Sequence, residues 1–207
     1  CVDKGLIIDL ETTGIDAEND KIIEIGIVEF VVSDEHSCPA ITNMYGEVED
    51  PKIPLSDEIK SITGLDDYML QGRSIDWKRV RELIDSSAIV IAHNVDFDRG
   101  FLLKRPELAG IDPHWACSMK HIDWGKHGFK TRALNYLAAD HGFVNAFAHR
   151  ALFDCATTFR LITPYFGELV SKSYMKEFRV FATAAPFEAK DKLKSRSYRW
   201  DAAKRVW

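Results

Sequence analysis

The sequence predicts an α/β fold: a mixed central sheet, part antiparallel meander and part parallel strands, flanked by helices. Three observations carry this expectation. Strand-like runs rich in Ile and Val crowd the first quarter of the chain, helical patterns alternate with one short apolar run after Pro51, and each change of pattern is marked by a cap or breaker residue.

The elements follow in order. "GLII" (Gly5–Ile8) is an apolar strand, "KIIEIGIVEFVVS" (Lys21–Ser33) a second, and "AITNMYGEVED" before Pro51 a third, which together read as a meander. "SDEIKSITG" has an N-cap candidate in Ser56 and a stop in Gly64, so a short helix fits. "DWKRVRELIDSS" places Trp77, Val80, Leu83 and Ile84 on one helical face and leads into the apolar strand "AIVIA" (Ala88–Ala92). A second strand-to-helix transition follows in "HNVDFDRGFLLKR". "SMKHIDWGKHGFK" reads as a loop with a short helix, and "TRALNYLAADHG" as a capped helix ending at Gly142. The last strong helix is "ALFDCATTFRLITPYF", in which Leu152, Cys155, Phe159, Ile162 and Phe166 keep a 3,4,3,4 spacing.

A chain of 207 residues, 46% hydrophobic and 29% charged, fits one globular domain with a small appendage. No apolar run approaches the length of a membrane span and no basic-then-apolar leader opens the sequence, although the first residue is Cys1 rather than Met. Cys1, Cys38, Cys117 and Cys155 lie far apart with no Cys-x-x-Cys pair, so a reduced, cytoplasmic protein without a membrane partner is expected. A net charge of -5 argues against binding phosphate backbones through bulk charge. The charge is unevenly spread, however: Lys172–Trp207 holds ten Lys or Arg against four Asp or Glu.

The chemistry begins at "IIDLETTG" (Ile7–Gly14). Side chains alternate along a strand, so Asp9 and Glu11 share one face while Leu10 points to the other. Two carboxylates on one face repel, and a hard cation such as Mg²⁺ or Mn²⁺ relieves that repulsion. Spacing alone does not single the pair out, since Asp16 and Glu18 repeat it in what reads as a loop. Asp98 stands early in a helix that follows a buried strand, where ligands gather in α/β sheets. Asp154 stands early in the last strong helix, five residues after His149. Five helical residues turn the chain by about 500°, so His149 is expected from the loop or first turn rather than beside Asp154. His93 and Asp98 have the same spacing, which leaves the choice of histidine open at this point.

Order along the chain resolves it. "DLETTG", then "IAHNVDFD", then "HRALFD" resemble the three motifs of the DEDDh superfamily, the DnaQ-like 3′-to-5′ exonucleases typified by the proofreading epsilon subunit of bacterial DNA polymerase. The resemblance runs from about Lys4 to Gly167 and includes the connecting segment "ITGLDDYML". It implies a ribonuclease H-like sheet and two Mg²⁺ or Mn²⁺ ions held by Asp9, Glu11, Asp98 and Asp154. Asp98 rather than Asp96 is implied because the family's aspartate follows an aromatic residue, here Phe97. His149 is implied as the general base, an imidazole with an ordinary pKa of about 6.5 suiting that step. Thr12 and Thr13 are implied to lie against the terminal nucleotide, and Asn94 to stabilise its turn. Phe153 stands where many relatives carry an acidic residue, outside the ligand set.

The function so implied is metal-dependent hydrolysis of terminal DNA phosphodiesters at single-stranded or frayed 3′ ends, releasing nucleoside 5′-monophosphates. "DLETTG" is more similar to the DNA-directed epsilon type than to the oligoribonuclease type. The rival activity is a 3′-to-5′ exoribonuclease of the same superfamily, and the rival class a nucleic-acid-binding module without catalysis. The expected partner is a single-stranded DNA 3′ end, with a polymerase or repair complex as protein partner. The exonuclease domain is expected over 1–171. A basic, aromatic extension is expected over 172–207, where Lys190, Lys192, Lys194, Arg196 and Arg199 interleave with Tyr198 and Trp200. That is the composition of a single-strand grip, or else of a small packed appendage.

Overall fold

The computed structural model describes residues 4–32, 39–176 and 180–207. Ser33, Cys1 and Cys38 lie outside them. The chain forms two compact units, Cys1–Tyr174 and Met175–Trp207. The division falls after Tyr174 because the last turn of the first unit is tied inward: Tyr174 stacks on His114 at 3.8 Å between ring centroids, and Ser173 Oγ bonds His114 Nε2 at 2.8 Å.

In the first unit, β1 (Lys4–Thr12), β2 (Ile22–Val32) and β3 (Pro39–Val48) form the antiparallel meander. Next come the short helices α1 (Asp57–Thr63) and α2 (Asp67–Leu70), then α3 (Trp77–Asp85), which returns the chain to β4 (Ile89–Ala92). Ser56 Oγ accepts from Ile59 N at 3.2 Å and Gly64 closes α1 at φ 69°, the cap and stop that the sequence places there. Helix α4 (Val95–Leu102) leads to β5 (Trp115–Cys117) and α5 (Ser118–His121). After these come α6 (Leu134–Asp140), α7 (Ala151–Ile162) and α8 (Phe166–Ser173). The sheet order is β3-β2-β1-β4-β5, with β4 parallel to β1 and β5 parallel to β4.

Period-2 alternation divides the core between the two faces of the sheet. Leu6, Ile8, Leu10, Ile25 and Ile27 pack against Trp77, Val80, Leu83 and Ile84 of α3 and Phe101 and Leu102 of α4. Ile7, Val28, Phe30, Ile89 and Ile91 pack on the other face against Cys155, Leu161 and Ile162 of α7 and Phe166 and Leu169 of α8. Among the described residues, no helix is long and apolar enough to cross a membrane.

At the last strong helix two local expectations differ from what is found. The helix expected to run through Phe166 ends at Ile162, because Pro164 lacks the N–H that would continue it; a 3-10 turn then leads into α8. Its buried residues are Ala151, Asp154, Cys155, Thr157, Thr158, Leu161 and Ile162, while Leu152 and Phe159 are only half-buried. The third parallel element, β5, is too short to have left a periodicity.

Met175–Trp207 holds a 3-10 turn (Phe187–Ala189), α9 (Lys190–Ser195) and an antiparallel bridge between Asp201 and Val206.

Candidate active site

The site forms where β1 outruns its parallel neighbour. β4 pairs with β1 only from Gly5 to Ile7, while β1 continues to Thr12. Beyond that ladder the edge of β1 needs another partner, and Asp98 supplies it: Oδ1 accepts the Leu10 amide at 3.1 Å. Asp98 can do so because the chain turns at Asn94 straight into α4, whose first turn carries it, only 3% exposed, back toward β1. Asp96 points to solvent and pairs with Lys120. The side chain of Asn94 makes no capping bond; its carbonyl accepts from Phe97 N at 2.9 Å, so backbone alone closes that turn.

Asp9 and Glu11 stand on the same face of β1 as Ile7, the face covered by α7. Across the antiparallel ladder Asp9 faces Gly26 and Glu11 faces Glu24. Gly26 is what lets the helix arrive. A Cβ there would lie 2.3 Å from the carbonyl carbon of Ala151 and 2.4 Å from the amide nitrogen of Leu152, so the first turn of α7 rests directly on β2. Glu24, 6% exposed, then fixes that turn: it accepts Arg150 Nε at 3.1 Å and the Ala151 amide at 3.1 Å.

With α7 seated there, Asp154 in its first turn is buried beside Glu11. One carboxylate oxygen of Asp154 accepts the His149 amide at 3.1 Å and the other accepts Asn145 Nδ2. His149 is in the loop before α7, at φ 62°, with its ring exposed. One ligand atom each of Glu11, His149 and Asp154 lies within 4.8 Å of the others. The structure thus brings these three into one group, while Asp9 and Asp98 flank it on β1 and α4. Thr12 is buried and donates to the Gly14 carbonyl; Thr13 Oγ1 donates to Asp20 at 3.1 Å and accepts from Lys21 N at 2.9 Å.

The electrostatics are those of buried carboxylates set close together. Burial raises Asp9 well above the usual carboxylate range, and Asp98, Asp154, Glu11 and Glu24 raise it further. Burial, then Asp154, Glu24 and Asp98, lift Glu11 to about 8. Burial lifts Asp98 to about 7 against its backbone hydrogen bonds, and raises Asp154 against its bonds from His149 and Asn145. A pocket of oxygen donors with one imidazole, in which every carboxylate resists ionising, fits a hard divalent cation.

His93 is of a different kind. It is buried, its ring nitrogens bond Ser118 Oγ and the Arg132 carbonyl at 2.7 Å each, and burial lowers its pKa.

Residues 6–162 match the RNase T family model, whose members are described as exonucleases. The chain belongs to this exonuclease family. That agrees with the resemblance carried by the three motifs. The chain is 31% identical over 167 residues to the DNA polymerase III PolC-type of Staphylococcus saprophyticus subsp. saprophyticus, covering 74% of this chain and 11% of that protein. It is 32% identical over 161 residues to the 3′-5′ exonuclease DinG of Staphylococcus aureus (strain USA300), covering 75% of this chain and 17% of that one. It therefore spans only a small part of the length of these relatives.

Among solved structures, Exonuclease X in complex with 5′ overhanging duplex DNA has a TM-score of 0.58 and 22% identity, over 82% of this chain and 99% of that one. The nuclease domain of 3′hExo, a DEDDh family member bound to rAMP, has a TM-score of 0.60 and 21% identity, over 81% and 93%. The five-stranded mixed sheet flanked by helices is thus the ribonuclease H-like exonuclease fold expected from the motifs.

Sequence reasoning missed four residues around the site in this family member: Glu24, Gly26, Arg150 and Asn145. For Glu24 a signal existed, a charge between Ile23 and Ile25 in an otherwise buried strand. Asn145, in a loop, left none.

Proposed function

We propose that the chain is a metal-dependent 3′-to-5′ exonuclease that hydrolyses terminal phosphodiesters of DNA at single-stranded or frayed 3′ ends and releases nucleoside 5′-monophosphates. The observation that carries this reading is the gathering of Asp9, Glu11, Asp98 and Asp154 at one end of β1, all held above the ordinary carboxylate pKa, with the exposed ring of His149 beside Glu11 and Asp154.

In this reading the four carboxylates would hold two divalent ions, Mg²⁺ or Mn²⁺, which would neutralise charge and supply Lewis acidity at the phosphate. Thr12 and Thr13 lie against the terminal nucleotide. His149 takes a proton from the attacking water at a ring nitrogen. The water oxygen bonds to phosphorus, the bond from phosphorus to the 3′ oxygen of the remaining strand breaks, and that oxygen gains a proton from solvent. Asp154, through the His149 amide, sets where the ring stands.

The first motif supports DNA over RNA as substrate, and the exoribonuclease is the second reading. The likeness to a PolC-type polymerase supports a polymerase or repair setting. Buried free thiols at Cys117 and Cys155 go with a reducing, cytoplasmic one. The reading assigns catalysis to residues 1–171 and leaves 172–207 as an extension.

The test presents 5′- and 3′-labelled single-stranded DNA, duplex DNA with a mismatched 3′ end, and RNA of the same sequence, with Mg²⁺ and with chelator. Metal-dependent release of the 3′ label as a mononucleotide from DNA supports the proposal. Release from RNA alone selects the exoribonuclease, and no release from either selects the non-catalytic module.

A further inference from the structure

The C-terminal unit is the part of the chain that the exonuclease reading leaves unused. Among its described residues, 175–176 and 180–207, none is buried. Phe187 is 80% exposed, Trp200 51% and Phe181 42%. Aromatic rings that served a small core would be covered. The rings instead border two adjoining cavities that share Trp207. One, of about 450 Å³, is lined by Phe187, Lys190, Lys194, Trp200, Trp207 and Ala185 and by no acidic residue. The other, of about 570 Å³, includes Phe181, Arg196, Tyr198 and Arg199, with Asp201 as its one acidic residue.

The charges point to an anion. Among the described residues Lys190, Lys194, Arg196 and Arg199 make no ion pair, and the Lys190 ammonium stands 5.6 Å from the centroid of the Phe187 ring. Trp200 and Trp207 pack on each other, centroids 5.4 Å apart at 57°, and Trp200 keeps about half of its surface open to solvent. Protein interfaces are depleted in lysine at their centres, whereas flat aromatic faces flanked by free cations suit bases and phosphates taken together. Such faces can stack only on bases that are not already paired.

We propose that Met175–Trp207 is a binding unit for single-stranded nucleic acid, with Phe187, Trp200 and Trp207 stacking bases and Lys190, Lys194, Arg196 and Arg199 holding phosphates. The proposal goes beyond the exonuclease reading and stands on this unit alone. Its test is run without metal, so loss of the exonuclease reading does not touch it.

The experiment measures fluorescence anisotropy of the full chain with a labelled oligothymidylate of about 16 nucleotides, a length within the range such sites span, and with a blunt duplex, in chelator at two salt concentrations. Lys190→Glu with Lys194→Glu weakens single-strand binding by at least about tenfold at low salt and lowers the log–log salt slope by about 1.4, the loss of two phosphate contacts. Phe187→Ala, at a ring too exposed to hold the unit together, weakens single-strand binding by about tenfold, leaving the salt slope and the duplex affinity as they were. Tyr68→Ala, at an equally exposed ring of the first unit, changes neither. Unchanged affinity and slope in the lysine and Phe187 variants overturn the proposal. Equal losses on duplex and single strand overturn stacking.

Discussion

Glu24 grips Arg150 across 126 residues of chain, its carboxylate oxygens each 3.1 Å from Nε and one of them 2.9 Å from a terminal nitrogen. Arg150 follows His149 directly, so the pair sets the loop from which the proposed base projects. The grip also leaves Glu11 facing a carboxylate that already has its counter-ion.

Glu24→Gln keeps the shape of the side chain and removes its charge. Stability is expected to fall by about 1–3 kcal/mol, the range for charged hydrogen bonds. Turnover is expected to fall by about 10²-fold, since misplacement of order 1 Å has that effect, with KM nearly unchanged. Urea denaturation and initial rates check both, and a parental kcat would show that the grip does not position His149.

Gly26→Ala places a methyl group against the backbone of Ala151 and Leu152. Side chains can yield to such a group, but here the helix itself must move. The expected outcome is a loss of about 1–3 kcal/mol, with hydrolysis reduced by about 10²-fold or more. A fully active Gly26→Ala would mean that α7 shifts without disturbing Asp154.

Asp9, Glu11, Asp98 and Asp154 all bind protons more tightly in the folded chain than in the unfolded one. Between the ordinary carboxylate range, about 4, and the values of about 7 for Asp98 and about 8 for Glu11, the native state therefore holds more protons. Stability without metal must then fall as pH rises through that window. Melting temperature in chelator is expected to drop from pH 5 to pH 8 and to recover at pH 8 with Mg²⁺. Asp9→Asn should raise the metal-free value at pH 8 while abolishing hydrolysis. A metal-free melting temperature that is flat or rising across this range would contradict the crowding described.

His149→Ala is expected to leave stability unchanged and slow turnover by about 10²–10⁴-fold, the usual worth of a positioned general base. His93→Ala should do the reverse. It strands Ser118 Oγ in the interior, at about 1–3 kcal/mol, and leaves turnover within a few fold. If the larger rate loss falls on His93, the assignment of the base is reversed.

The legible parts of this molecule were those with a short period or a local cap. Asp9 and Glu11 share a face because strands alternate, and the buried face of α3 is the one its spacing gives. Helix α7 was legible as a helix but not in its register. Reading apolar residues selected Leu152 and Phe159, whereas the buried stripe includes Asp154 and Thr158, polar side chains drawn inward beside the site. Glu24 and Arg150 were out of reach for another reason: the contact is made by tertiary structure between distant segments, and neither residue carries a mark of the other. Gly26 looked like any glycine in a strand, and its role exists only once a helix lies on it.

His149 occupies the left-handed region, at φ 62°, where a residue with a Cβ is held at a disadvantage of order 1–3 kcal/mol and glycine is at ease. Selection for a durable fold would put glycine there. That the chain keeps an imidazole at this point, beside four carboxylates that also disfavour the compact state, makes this corner of the molecule a region where endurance is traded for work. Variants chosen only for heat tolerance should accumulate their changes here first and lose activity as they do.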